Sequence, residues 1–307
     1  SGMRYYTLGK TDGNITLLLN GDADNLTAQY PQQTNISAST LYGSVAVYRD
    51  GASVTSENGI NVIRGGSYYN ITAVSSGDEN HSSASVTYWL NVTKASGSVR
   101  LTLNGGASDL EIQYPQAVLA FASTSYGTIN LFRDGADKTS ENGDFVLLNV
   151  GYYNYTAVSS GNQNYSSLTL SYFTNVTKGV NPVSLLLNGA AEDISLTYLN
   201  NLNASGSATA GTVKIYRDGV DVSADNGKNV ILGFGYYEYF VNATGNSNYL
   251  DNSTGVSYFA NISKANPSSG MQININPSTS VEYGTQTRAI ATKSVGGDED
   301  LLYSFYR

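Results

Sequence analysis

GYYNYTAVSSGNQNYSSLTLSYFTNVTK, residues 151–178, decides how this chain is read. Tyr153, Tyr155 and Ala157 alternate with Tyr152, Asn154 and Thr156, and Tyr172 and Val176 with Phe173 and Asn175. Side chains on a strand point alternately to its two faces. The stretch therefore predicts two strands joined by the turn around Gly161, with an inner row of tyrosine and aliphatic residues. Its outer row carries an aromatic beside an Asn-x-Thr sequon twice over. The stretch recurs at residues 67–94, SYYNITAVSSGDENHSSASVTYWLNVTK, and at 235–264, GYYEYFVNATGNSNYLDNSTGVSYFANISK.

Outward from it, the whole chain repeats. Asn20-Gly21, Asn104-Gly105 and Asn188-Gly189 are spaced by 84 residues, as are Arg49-Asp50-Gly51, Arg133-Asp134-Gly135 and Arg217-Asp218-Gly219. Lys94 and Lys178 keep the spacing. Lys264 arrives two residues late, which places an insertion near residues 251–255. The expected modules are residues 11–95, 96–179 and 180–265. Residues 1–10 read as the last strand of a preceding module plus its linker, and 266–307 as the opening of a fourth. Each module predicts about seven short strands between turn signals, hence a β-sandwich. Short linkers predict an elongated rod of modules set end to end, each adding about 30 Å at roughly 3.3 Å per strand residue.

Composition agrees with that class. The 307 residues include 25 Tyr and 32 Gly, with 13% charged, a balance that suits strands and turns over helices. The net charge of −8 offers no basic patch for phosphates, so nucleic acid is not an expected partner. With no cysteine, disulfides, thiolate metal sites and a Cys nucleophile are excluded. No run of about 18 apolar residues predicts a membrane span. Ser1-Gly2-Met3 reads as an artificial start.

The stretches 211–219 (GTVKIYRDG), 151–157 (GYYNYTA) and 161–165 (GNQNY), with a final strand ending Asn-Val-Thr-Lys, resemble the prokaryotic Ig-like repeats of large surface proteins. The Asn-rich, Lys-poor version is similar to repeats of archaeal cell-surface and surface-layer proteins. The resemblance covers nearly the whole chain, and its motifs are turn and core residues. It implies an extracellular, cell-surface stalk, filament or surface-layer role, with neighbouring copies or other surface proteins as partners. Residues 1–10 and 266–307 suit either a piece of a longer array or head-to-tail polymerisation, in which the orphan strand completes the next subunit's open module.

Thirteen Asn-x-Ser/Thr sequons carry the chemistry. Asn91, Asn175 and Asn261 are equivalent in all three modules, and Asn70 and Asn154 in two, with Glu238 in the third. Asn80 and Asn164 also pair, with Asn252 near that turn. With Asn242, these nine are the glycosylation candidates. Asn14, Asn25, Asn35 and Asn203 complete the set. An aromatic precedes the Asn by two in five sites: Tyr68/Asn70, Trp89/Asn91, Tyr152/Asn154, Phe173/Asn175 and Phe259/Asn261. Tyr236 stands where Tyr68 and Tyr152 do. These six aromatics read as platforms for N-linked glycans, as cross-strand pairs steadying an exposed sheet, or as an adhesive, carbohydrate-binding surface. Tyr48, Phe132 and Tyr216 widen the band.

Other motifs read as structure. Arg-Asp-Gly is a turn, with Glu57, Glu141 and Asp225 near its arginines. His81, the sole histidine, is expected in a solvated turn. Asp22 and Asp24, and Asp298 and Asp300, concentrate oxygen ligands for Ca2+. The first cluster is not repeated in the second module, so no cofactor is expected. An intramolecular Lys–Asn bond needs a buried lysine, and Lys94, the first module's only one, lies in a linker. No nucleophile elbow, P-loop or metalloprotease helix occurs, and near-identical modules offer no single asymmetric pocket, so catalysis is not expected.

Overall fold

The computed structural model of the chain describes residues 2–4, 6–265, 271–276 and 280–293. The first module contains β1 (Thr16–Leu19), β2 (Leu26–Gln29), β3 (Gln33–Ser39), β4 (Val45–Arg49), β5 (Ala52–Ser53), β6 (Asn61–Ile63), β7 (Ser67–Ser75) and β8 (Ala84–Thr93). They form an Ig-like sandwich of two sheets, ordered β1-β3-β6 and β2-β8-β7-β4-β5. All neighbours pair antiparallel except β2, which runs parallel to β8 with Ala28 beside Val92. The same two sheets recur in residues 100–177 and 183–263. The periodicity located the long strands but not this parallel pairing, since a four-residue strand carries too little pattern to name its neighbour.

Alternation fills the space between the sheets. Leu17, Leu19, Ile36, Val47, Ile71, Ala73, Leu90 and Val92 are buried together in the first module, with Tyr69 and Tyr88 half-buried against them. Leu185, Leu187, Leu202, Ile215, Tyr239, Val241 and Ala260 do the same in the third. Each such aliphatic side chain contributes about 1.5–3 kcal/mol on burial, which suffices without disulfides.

The repeated signals are hairpin turns. Asp50 and Gly51 both have positive φ, 49° and 82°, and the equivalent pairs at 134–135 and 218–219 match them. Two consecutive left-handed residues make a type I′ turn, which Asp-Gly adopts readily. The aspartate also accepts the next strand's amide: Asn70, Asn154 and Glu238 each donate N–H to it at 2.8 Å.

The chain divides into two compact units, Ser1–Ile112 with Gln116–Asn175, and Gln113–Pro115 with Val176–Arg307. Inside the first, residue 95 bridges the first two modules. Ala95 donates to the Asn164 carbonyl and accepts from Ser166, both at 2.9 Å. Gly66 donates to Asn164 Oδ1 at 3.0 Å. A Cβ on Gly66 would lie 2.5 Å from the Gln163 carbonyl oxygen, so only glycine permits the approach. Tyr165 stacks on Tyr126 at 3.4 Å and takes the edge of Tyr30 at 5.4 Å. Inside the second unit, Tyr114 meets Tyr249 edge-on at 5.2 Å.

Residues 2–4 and 6–10 form no strand, and Lys10 Nζ donates to the Asp78 carbonyl at 2.7 Å. Of residues 266–307, Met271–Asn276 pairs antiparallel with Arg288–Lys293, residues 280–287 hold a turn at Gly284, and 266–270, 277–279 and 294–307 of the expected fourth module lie outside the described residues. No helix among the described residues is long and apolar enough to cross a membrane.

Candidate functional site

The outer face of the larger sheet gathers most of the singled-out residues. In the first module Tyr68 lies directly across from Asn91, and Asn70 across from Trp89. The two rings meet on the diagonal, stacked at 4.9 Å and 16°. Each sequon asparagine thus has one ring two residues before it and another across the strand. The third module repeats the tile, with Tyr236 across from Asn261 and stacked on Phe259 at 5.0 Å. In the second, Tyr152 stacks on Phe173 at 5.2 Å, and both line a shallow depression of about 340 Å³ with Asn175, Asp109 and Glu111. Tyr68, Tyr152 and Tyr236 are 58%, 66% and 63% exposed. The aromatics form cross-strand pairs in every module; the three tyrosines and Trp89 are exposed, and Phe173 and Phe259 are half-buried.

The backbone under each tile is held by one side chain. Asn25 Oδ1, Asp109 Oδ1 and Asp193 Oδ1 each accept the amide of Trp89, Phe173 or Phe259 at 2.8 Å. Asn25 therefore does in the first module what an aspartate does in the other two, which explains its sequon as structure. Within the tiles, Thr72 Oγ1 donates to Asn70 Oδ1 at 2.9 Å and Thr156 Oγ1 to Asn154 Oδ1 at 3.2 Å.

The remaining asparagines stand apart. Asn80 is exposed in its turn. Asn164 serves the bridge between the first two modules. Asn252 uses both ends of its amide: Nδ2 donates to the Asn181 carbonyl at 2.8 Å, and Oδ1 accepts Gly255 N–H and Thr254 Oγ1. Asn242 lies on the sheet face two residues after Phe240. This sixth aromatic–sequon pair obeys the spacing that found the other five, and the chain pattern alone could have revealed it. Phe240 sits 6.1 Å from Tyr216 on the neighbouring strand.

His81 departs from its expectation. Its ring stacks on Tyr42 at 3.4 Å and its Nδ1 meets Asp78 Oδ1 at 2.8 Å, so it is packed where a solvated turn was expected. It holds the place that Tyr165 holds against Tyr126. That hydrogen bond, with the amides of Asn80 and His81, keeps the Asp78 carboxyl below its usual range.

A buried cation was not foreseen. Arg64 is only 4% exposed, where the other modules carry Leu148 and Leu232. It binds the Glu57 carboxylate, which also holds Arg49 at 3.2 Å, and donates to the Thr34 carbonyl at 2.9 Å. A single Arg in an apolar register was its only sequence signal. Asp22 and Asp24 lie exposed in a turn, where Asp24 Oδ1 accepts Asn25 N–H at 2.6 Å. Asp298 and Asp300 lie outside the described residues. Among the described residues no three His, Asp or Glu side chains converge for a metal.

No protein-family model and no curated protein matches the chain. Among solved structures it is similar to fibronectin(III)-like modules of Clostridium thermocellum CbhA, at 16% identity over 53% of this chain and 94% of that one, TM-score 0.23. It is also similar to Sidekick-1 immunoglobulin domains 1–5, at 11% identity over 83% and 60% of the two chains, TM-score 0.31. Drosophila N-cadherin EC1-3 is a third, at 10% identity over 78% and 97%, TM-score 0.30.

Proposed function

We propose that this chain is a segment of a glycosylated cell-surface structural protein, a stalk, filament or surface-layer component built from stacked Ig-like modules. The observation that carries this reading is the recurring tile of stacked rings flanked by sequon asparagines. A sugar on Asn70, Asn91, Asn154, Asn175 or Asn261 begins beside a ring whose open face can cover its apolar side. Glycans there also shield an exposed aromatic sheet from pairing with wrong partners. Its place is the outside of the cell, and its partners are neighbouring copies and other surface proteins. Head-to-tail association through residues 3–10 extends the same reading. Asn252 is poorly suited to carry sugar, because its Nδ2 already serves a backbone carbonyl, as Asn203 Nδ2 serves that of Gly227.

Site-resolved glycopeptide mass spectrometry on protein from its natural source tests this. Sugar mass is expected at the five tile asparagines and absent at Asn252. Bare asparagine at all five overturns the reading. A second reading, an adhesin that engages foreign carbohydrate through Tyr68, Tyr152 and Tyr236, is favoured by the exposure of those three rings.

A further inference from the structure

The third copy departs from the other two in several places, and the departures meet at one spot. Glu238 replaces the asparagine of the first two modules, and Phe240 replaces Thr72 and Thr156. The insertion brings Gly255, at φ 60°, against the Phe240 ring; a Cβ there would lie 2.2 Å from Cε2. The register between the two strands shifts at Val241–Ala243, beside the same ring. Tyr216, Glu238, Phe240, Asn242 and Gly219 then line a shallow depression of about 390 Å³. At the matching place the first module carries the hydroxyl pair Thr72–Thr87, 2.8 Å apart. The second carries Thr156–Ser171, also 2.8 Å apart.

We propose that this depression is a seat for a neutral pyranose ring. The chemistry of the lining selects that class. Tyr216 and Phe240, 6.1 Å apart and tilted by 38°, offer an aromatic floor for the axial C–H face of a sugar. Glu238 accepts hydroxyls at its rim; its Oε1 is already oriented by Ser257 Oγ at 3.0 Å. Asn242 supplies an amide that both donates and accepts. Lys214, on the neighbouring strand, is turned to Asp221 at 3.2 Å, so the carboxylate at the rim disfavours acidic sugars. Gly255 lets the insertion pack on Phe240 and holds that ring before any ligand arrives. The volume falls within the usual range for small-ligand pockets, roughly 300–1,000 Å³.

The pyranose could belong to a separate saccharide or to a glycan on Asn242, and two arms distinguish these. In the first, the full chain is made in a host without N-glycosylation and titrated with glucose, mannose, galactose and cellobiose, with glucuronate as the acidic comparison, while amide and aromatic NMR signals are followed. A free ligand shifts signals of 214–219 and 236–242 with a Kd in about the millimolar range, and glucuronate binds more weakly. Glu238→Gln, which keeps the side-chain shape, is expected to weaken binding about fivefold or more. Tyr216→Ala is expected to weaken it about tenfold, while Phe132→Ala, at the matching place in the second module, leaves it unchanged. In the second arm, the glycosylated full chain shows cross-relaxation between Asn242-linked sugar protons and the Phe240 or Tyr216 ring, which Asn242→Gln abolishes. Either arm alone sustains the seat and names its source. Silence in both overturns it, as do equal losses from Phe132→Ala or tighter binding of glucuronate. The first arm uses no glycan on the protein, so failure of the glycoprotein reading leaves it intact.

Discussion

At the residue scale, Arg64 is the sharpest departure from the repeat. Its guanidinium is buried where the sister modules carry the buried Leu148 and the half-buried Leu232, and it is sustained by Glu57 and the Thr34 carbonyl. Replacing a buried ion pair by a well-fitting apolar side chain is often neutral or stabilising, whereas removing one partner strands the other charge. Arg64→Leu is therefore expected to hold or raise the first module's stability. Glu57→Ala is expected to lower it by about 2–3 kcal/mol, read by urea unfolding. Equal losses from both would contradict the assignment. Asp221 gives the pH test. Ser223 Oγ at 2.6 Å, its N–H at 2.9 Å and Lys214 hold its carboxyl down to about 2, from an ordinary 3.8. The folded form binds a proton less readily than the unfolded one. Its contribution is therefore complete above pH 3.8 and is lost as pH falls through about 2. The Ser223 amide signal is expected to titrate with a midpoint near 2 and to lose that titration in Asp221→Asn. A midpoint near 4 would remove the claim.

At the element scale, the link between the first two modules is made by residues that read as punctuation in the sequence. Ala95 bridges as a strand residue would, Gly66 admits the Gln163 carbonyl, and Tyr30 closes edge-on over Tyr165. Aromatic edge contacts contribute about 0.5–1.5 kcal/mol beyond area burial, enough to steady a joint without deciding whether a module folds. Tyr30→Ala is expected to leave the melting of both modules in place while their NMR alignment tensors, residues 11–95 against 96–175, separate. Tensors that stay identical would mean that the backbone bridge alone fixes the joint. The turns show why the repeat was so legible. Asp50, Asp134 and Asp218 serve twice, as left-handed residues and as acceptors for the neighbouring strand's amide. Asn20, Asn104 and Asn188 combine the same two roles, left-handed at φ 53°, 47° and 49° and accepting a neighbouring strand's amide at 2.7 Å, so both sets keep their spacing.

At the scale of the whole chain, sequence and tertiary structure divided the work along physical lines. The alternation of residues 151–178 determined the two strands, their inner row with Tyr155 and Ala157, and their outer row with Tyr152 and Asn154. Period-2 patterning and Asp-Gly turn chemistry are local, so both are written in consecutive residues. The sequon-after-aromatic spacing is local too, and it even contained Phe240/Asn242. Contacts between distant residues were decided only in three dimensions. They include the parallel pairing of β2 with β8, the stacking of Tyr68 on Trp89, the packing of His81 on Tyr42 and the Glu57 partner beneath Arg64. The third module's depression belongs with them, since Glu238, Tyr216 and Gly255 lie on separate segments that the sandwich brings to one face. The sequence determines which face of each strand a side chain takes. Only the fold decides what it meets there, because register and sheet order are set by packing across the core.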